Sequence, residues 1–284
     1  MSADRWTTSP DEALRATLRT RLADIDPHGT PGYEGSKAEG AADLAAGADE
    51  LDELQERLFA QSIAGTATGS VLVVLQGMDT SGKGGIVRHV VGAVDPQGVE
   101  LASFKKPTPE ELEHDFLWRI EKRLPSAGKL GVFDRSHYED VLIGRVRSLA
   151  PADEIERRYD AINSFEADAA SRGIRVVKAM LHISKDEQKA RLQERLDRPD
   201  KHWKYNPGDV DERELWHDYA AAYQVMLERT YTEAAQWFVV PADRKWFARL
   251  AVQRLLVAAL RDIDPHWPAA DFDVATEKAR LAAS

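Results

Sequence analysis

An α/β fold, one parallel sheet covered by helices on both faces, is what this sequence of 284 residues predicts. Three observations carry the prediction. VLVVLQ at 71–76 is a continuous apolar run of strand length, the pattern of a strand buried on both faces. Directly behind it, residues 77–84 read Gly-Met-Asp-Thr-Ser-Gly-Lys-Gly and run into IVRHVVGAV, a strand–loop–helix with the spacing of a phosphate-binding loop. Four more strand-like runs then alternate with helical segments, which implies five parallel strands joined by right-handed crossovers.

The elements follow in order. Leu14, Leu18 and Leu22 recur every four residues and predict a short amphipathic helix over 10–24. PHGTPGYEGSK (27–37) reads as a loop. A longer helix is predicted over 38–63, with Leu44, Leu51, Leu54 and Leu58 on one stripe, and AGTATGS (64–70) breaks it. After the loop at 77–84, strands are predicted at 99–104, 129–134, 174–183 and 237–242, with helices at 109–123 and 152–172. Gly173 stands where a helix C-cap glycine belongs. HISKDEQKARLQERLDRP (182–199) reads as a helix opened by a Ser184–Glu187 capping box and stopped by Pro199. A final helix over 243–262 turns Trp246, Leu250, Leu256 and Leu260 inward. The chain thus divides into an N-terminal helical extension (1–66), a phosphate-handling domain (67–263) with a lid at about 184–212, and a peripheral tail (264–284).

Composition narrows the function. No cysteine is present, which excludes disulfides, thiolate metal sites and thiol nucleophiles. A formal net charge of −10 argues against broad nucleic-acid binding, so any polyanion must be held by a local basic track. The start lacks an apolar stretch behind a basic leader, and no apolar run is long enough to span a bilayer. A cytoplasmic protein without a membrane segment is the expectation.

The loop has a specific physics. Gly77, Gly82 and Gly84 let the backbone curl so that successive N–H groups face a phosphate. The helix N-terminus adds its dipole, and Lys83 supplies a mobile charge. Met78, Thr80, Ser81 and Gly85 complete the cradle. Gly84 stands where a Ser or Thr hydroxyl ordinarily meets Mg²⁺. Asp79, meanwhile, puts a carboxylate inside a phosphate site, where a cation between the two resolves the repulsion. Asp79 is therefore expected to help hold Mg²⁺, the alternative being a turn cap bonded to backbone N–H groups.

KLGVFDRSHYEDVL (129–142) puts Asp134 at the carboxyl end of a buried strand, the sheet edge where ligands bind. A strand-end carboxylate there reaches Mg²⁺ directly or through water. Arg135 follows, suited to bidentate phosphate contact, with a salt bridge to Glu139 or Asp140 as its structural alternative. His137 is read as packed and hydrogen-bonded rather than as a base, because a phosphate acceptor is already anionic and needs little proton removal.

In the 182–199 helix, Arg191, Arg195 and Arg198 stack on one face. Glu187–Arg191 and Glu194–Arg198 could instead be solvated i, i+4 pairs, which leaves Arg195 as the best functional candidate. DKHWKYNPGD (200–209) adds Lys201, His202 and Lys204, and a basic segment after the fourth strand is where a lid over phosphates sits. Lys105 and Lys106 follow the second strand at the same edge, either lining a channel for a long polyanion or simply solvated.

Four blocks together resemble the polyphosphate kinase 2 family: GMDTSGKGG (77–85), KKPTPEELEHDFLWR (105–119), FDRSHYEDVL (133–142) and RLQERLDRPDKHWKY (191–205). The resemblance runs from about residue 40 to about 262. It implies a P-loop kinase fold of thymidylate-kinase type, a three-layer sandwich with a helical lid. It also implies phosphoryl transfer between inorganic polyphosphate and purine nucleotides with Mg²⁺, or Mn²⁺ in its place, by a homodimer or homotetramer. By the family pattern Asp79 and Asp134 are the metal-linked acids, and Lys83, Arg135 and Arg195 steady the moving phosphoryl group. Glu139, Asp140, Arg191 and Arg198 join the phosphate and nucleotide contacts, and Arg88, Lys105, Lys106, Lys201 and Lys204 the polyphosphate contacts. SHYEDVL resembles members that accept both mono- and diphosphates, many of which read Asn where this chain has Asp134; Gly84 resembles the diphosphate-using members. Two rivals remain at this point. An ATP-dependent nucleoside monophosphate kinase would ordinarily carry Ser or Thr at 84. A non-catalytic nucleotide-binding module could dispense with Asp79, Asp134 and Arg135 together.

Overall fold

Five strands, β1 (Ser70–Gln76), β2 (Val99–Ser103), β3 (Leu130–Asp134), β4 (Ile174–His182) and β5 (Ala235–Pro241), form one parallel sheet in the computed structural model, which describes residues 5–284. Their order is β2-β3-β1-β4-β5. The chain leaves β1 towards β2, returns through β3, then crosses to β4 on the other side. The direction therefore reverses at the carboxyl end of β1, where an open α/β sheet forms its ligand crevice.

Alternate residues of β1 enter different cores, as a pleated strand requires. Val71, Val73 and Leu75 pack towards α2 (Lys37–Ile63), α3 (Lys83–His89) and α11 (Lys245–Ile263). Leu72 and Val74 pack towards α6 (Glu139–Val146), α7 (Ala152–Ser171) and α10 (Trp216–Arg229). These are the three layers. Leu51 and Leu58 of α2 are completely buried, each contributing about 1.5–3 kcal/mol. The helix docks closely: a Cβ on Gly40 would lie 2.4 Å from the Trp246 ring of α11.

The remaining elements differ from expectation in instructive ways. Residues 10–24 do not form one helix. A single turn, α1 (Pro10–Ala13), leads into an antiparallel bridge between Arg15 and Phe238 on the open edge of β5. Ala16 N donates to Trp237 O at 2.8 Å and Val239 N donates to Leu14 O at 2.8 Å. Unpaired backbone groups on that edge outcompete the helix. Leu14 and Leu22 are buried, but Leu18 is 63% exposed, so the leucine spacing did not mark one face. The helix expected at 109–123 is two separate turns, α4 (Pro109–Leu112) and α5 (Trp118–Glu121).

The helix α8 (Lys185–Asp197) starts where its cap predicts, with Ser184 Oγ accepting from Glu187 N at 3.1 Å. The reciprocal half of the expected box is not made, because the Glu187 carboxylate accepts from Arg191 Nε at 2.7 Å. A 3₁₀ turn (Pro199–Lys204) and α9 (Gly208–Glu214) carry the chain to α10. Neither α9 nor α10 was anticipated. The tail holds α12 (Val274–Ala282), which buries no residue. Among the described residues no helix is long and apolar enough to cross a membrane.

Candidate functional site

β1 ends at buried Gln76, and the backbone turns at once into the left-handed region at Gly77 (φ 147°). A Cβ there would lie 2.6 Å from Leu181 O, so only glycine fits. Thr80 (φ 64°) and Gly82 (φ 115°) complete the curl, and α3 begins at Lys83. Gly84 faces open space, with nothing within 4 Å of a Cβ built on it. The missing hydroxyl at that position is therefore not imposed by crowding.

Lys83 folds back on the loop, its Nζ donating to Gly77 O at 2.5 Å and Met78 O at 3.4 Å. Burial lowers its pKa, with Asp79 pulling the other way. Asp134 closes β3 level with Leu75 of β1. Arg135 comes next in the left-handed region (φ 65°), unusual for a long side chain and a form of stored strain. Its Nη2 donates to Asp79 Oδ1 at 2.9 Å, and its Nη1 lies 3.6 Å from Glu139 Oε2. Burial is the main influence on Glu139 and raises its pKa, opposed by Arg135 and Lys83.

Two cavities meet here. The larger, about 750 Å³, contains the loop from Asp79 to Gly85 together with Arg88, Asp134, Arg135, Arg191, Arg195, Lys201 and Lys204. It also contains Lys245 and Arg249 of α11, which sequence reasoning missed. The signal was available, since two cations stand four apart in the first turns of this helix, at the sheet edge that carries the loop. The smaller, about 240 Å³, is lined by Gly77, Met78, Asp79, Arg135 and Glu139. Gln188, Asp209, Glu212, Trp216, Tyr219 and Tyr223 line it as well, none of them anticipated. Trp216, Tyr219 and Tyr223 are spaced three and four apart, a helical aromatic stripe that could have been read from the sequence. Asp79, Arg135, Asn206 and Asp209 belong to both cavities.

Other predicted residues sit differently. Arg191 is buried and donates to the carbonyls of Thr80 (2.8 Å) and Ser81 (2.9 Å), as well as Ala242 and Asp243, so it braces the loop from beneath. Arg195 donates to Lys204 O at 2.9 Å and Asp209 Oδ2 at 3.1 Å, tying the lid to the cavity wall. Arg198 lies outside both cavities, paired with Asp200 at 2.7 Å and Glu194 at 3.4 Å. Asp140 also lies outside them, held between Arg119 (3.5 Å) and Arg158 (3.6 Å), and burial raises its pKa. Lys105 and Lys106 are exposed beyond β2 and line neither cavity. His137 is buried and bonded to Glu166 at 3.2 Å, as its packed reading expects. Among the described residues no three His, Cys, Asp or Glu side chains gather to hold a metal. Asp79 and Asp134 stand in the loop cavity together with Lys83, and Glu194 and Asp209 line the same cavity.

Comparison with known proteins adds the lineage. The family model described as Polyphosphate kinase 2 matches residues 34–267. The AMP/ADP-polyphosphate phosphotransferase of Meiothermus ruber is 44% identical over 250 residues, covering 88% of this chain and 92% of its own. The ADP-polyphosphate phosphotransferase of Rhodopseudomonas palustris is 40% identical over 232 residues, 78% of each chain. The crystal structure of Polyphosphate Kinase 2 from Arthrobacter aurescens TC1 superposes with a TM-score of 0.96 at 57% identity, covering 100% of both chains.

Proposed function

The chain belongs to the polyphosphate kinase 2 family of phosphotransferases, and from that premise we propose that it moves a phosphoryl group between inorganic polyphosphate and AMP or ADP. The observation that carries this reading is the junction of two unlike cavities at Asp79 and Arg135. The larger is walled by Lys83, Arg88, Arg195, Lys201, Lys245 and Arg249, a local concentration of cations on a chain of net charge −10. Cations in that number suit a string of phosphates. The smaller offers Trp216, Tyr219 and Tyr223 for stacking, with Asp209 and Glu212 as acceptors for hydroxyl or amine hydrogens, and suits a nucleoside. A nucleotide lying there directs its terminal phosphate at the junction.

Transfer at the junction is an in-line displacement. A terminal phosphate oxygen of the nucleotide bonds to the end phosphorus of the chain, and the bridging P–O bond breaks, leaving its electrons on the shortened chain. The nucleophile is anionic, so no base is needed; positioning and charge neutralisation supply the rate. Lys83 and Arg135 are placed to neutralise the moving group, Lys83 by leaving the carbonyls of Gly77 and Met78 when phosphate arrives. Asp79 and Asp134 fit Mg²⁺, or Mn²⁺ in its place, because two carboxylates beside a phosphate cradle leave the remaining positions to phosphate oxygens and water. The ion would supply Lewis-acid neutralisation of the phosphate oxygens.

An ATP-dependent monophosphate kinase is less well supported. It needs a slot for the donor's base next to the loop, where this chain places Arg88, His89, Lys245 and Arg249. The test is incubation with AMP or ADP, Mg²⁺ and long-chain polyphosphate without ATP. New ADP or ATP supports the reading. Transfer from ATP alone would return the monophosphate kinase, and binding without transfer the non-catalytic module. Loss of turnover on chelation, restored by Mg²⁺ or Mn²⁺, checks the metal.

A further inference from the structure

We propose that Glu166, a residue of α7 that lines neither cavity, sets the geometry of the transfer site by holding the Arg135–Tyr138 turn from below. The inference rests on the reading of Arg135 as a phosphoryl contact. Arg135 occupies a left-handed backbone conformation that persists only where the surroundings over-determine it. Its side chain pairs with Asp79 and Glu139 at the junction and its N–H donates to Leu75 O at 3.3 Å, and the residues that follow it add further restraint from below.

The next three residues, Ser136, His137 and Tyr138, are buried to within 1% of completely, and each is tied down. Ser136 Oγ accepts from Gln76 Nε2 at 3.1 Å, which couples the turn to the end of β1. His137 Nε2 and the Tyr138 hydroxyl both donate to Glu166 Oε1, at 3.2 and 2.7 Å. Glu166 Oε2 in turn accepts from Lys178 Nζ at 2.7 Å. Lys178 also donates to the Tyr138 hydroxyl and to Thr230 O, each at 2.9 Å, and so is anchored in β4 and against the end of α10. Two consecutive side chains of the turn thus end on one carboxylate oxygen, and that carboxylate is fixed by a lysine in the sheet.

Stability alone does not account for this cluster. Glu166 is 2% exposed and Lys178 not at all. Withdrawing two such charges from water is costly even when they are paired, and apolar residues of similar volume commonly do as well or better. What an apolar filling cannot supply is direction. Three directed bonds on Glu166 specify where His137 and Tyr138 sit, and hence where the chain two residues earlier aims Arg135. Glu166 is accordingly a positioning residue, acting through Arg135.

A double-mutant cycle tests this. Glu166→Gln, Arg135→Lys and the double variant are compared by kcat and KM with polyphosphate and ADP. Glu166→Gln alone is expected to lower kcat about ten- to a hundredfold, the scale of a displacement near 1 Å, with both KM values within threefold. In the Arg135→Lys background the same change is expected to lower kcat less than twofold, since the residue acts through the group already altered. A residue that only supports folding lowers the active fraction equally in both backgrounds, and such multiplicative losses would overturn the proposal. Tyr138→Phe, which deletes one bond to Glu166, is taken through the same cycle and remains decisive if Glu166→Gln does not fold. An unsubstituted enzyme that moves no phosphate from polyphosphate would sink the functional reading itself; multiplicative losses in an active enzyme sink this inference alone.

Discussion

Arg135 Nη2 lies 2.9 Å from Asp79 Oδ1, joining the end of β3 to the phosphate loop across 56 positions of sequence. The pair stands on the wall common to both cavities. Arg135 has a second ion-pair partner there in Glu139, and the Asp79 carbonyl accepts from Gln188 Nε2 at 3.1 Å. On the proposed function, substrate phosphate and a cation would compete for these same groups, and turnover would open the pair.

Asp79→Asn is expected to lower kcat by at least about a hundredfold, the usual scale for losing a group that organises transition-state charge. Its pair with Arg135 is partly exposed, and such pairs contribute about 0–1 kcal/mol, so thermal unfolding changes little. Turnover and melting measured side by side check this; a large loss of stability with activity per folded molecule intact would make Asp79 structural. Gly84→Ser, which has room for its side chain, is expected to fold normally and to recover part of the lost rate by restoring a hydroxyl.

Lys83 titrates below an ordinary lysine, with burial as the main cause. Its ammonium is therefore lost as pH rises through a value lower than 10.5, and kcat/KM falls with it. Lys83→Arg keeps its charge over that range. The alkaline limb of the pH profile is expected to move upward in Lys83→Arg, with a lower plateau because an arginine fork replaces a point charge. A limb that stays in place assigns the titration to another group.

The two lid arginines separate function from surface pairing. Arg195→Ala is expected to lower transfer about tenfold or more, since its guanidinium stands in the larger cavity. Arg198→Ala removes an exposed pair with Asp200 and is expected to leave kcat within twofold. Equal losses in the two variants would undo this assignment.

Lys245→Ala and Arg249→Ala are expected to raise KM for polyphosphate severalfold while leaving KM for ADP nearly unchanged, because both line the larger cavity and neither lines the smaller. The salt dependence of polyphosphate binding is expected to weaken in each variant, as fewer cations meet the chain. Titrating both substrates at two ionic strengths measures it.

Glu139 carries a raised pKa, caused first by burial. A carboxylate of this kind favours the folded state while protonated. Its contribution is fully present below the unfolded value near 4.5 and is lost as pH climbs through the folded value. Glu139→Gln escapes that loss. The difference in melting temperature, variant minus unsubstituted protein, is expected to grow more positive from pH 4.5 upward and then level off. A difference that does not vary with pH would contradict the burial assigned to this carboxyl.

Reading the sequence located β1, the loop and Asp134 because each is a local signal. An apolar run, a glycine spacing and a strand ending in Asp need no distant partner to be recognised. The packed state of His137 was legible for the same reason. By contrast, the arginines of 191–198 share a helix face in sequence, yet Arg191 turns under the loop and Arg198 turns to Asp200. Nothing in their spacing distinguishes a carbonyl brace from a surface pair. The leucines of 10–24 fitted a helix, but the open edge of β5 drew that segment into a bridge.

The sequence by itself determined that this chain builds a parallel sheet with a phosphate cradle at the end of its first strand, because strand, turn and helix-start chemistry are written within a few residues of one another. Only the tertiary structure decided that Asp79 meets Arg135, that α10 supplies an aromatic wall and α11 two more cations, and that Glu166 lies beneath the turn. Those relationships depend on which way side chains point after packing. That direction is set by neighbours dozens of residues away, competing for the same buried hydrogen bonds.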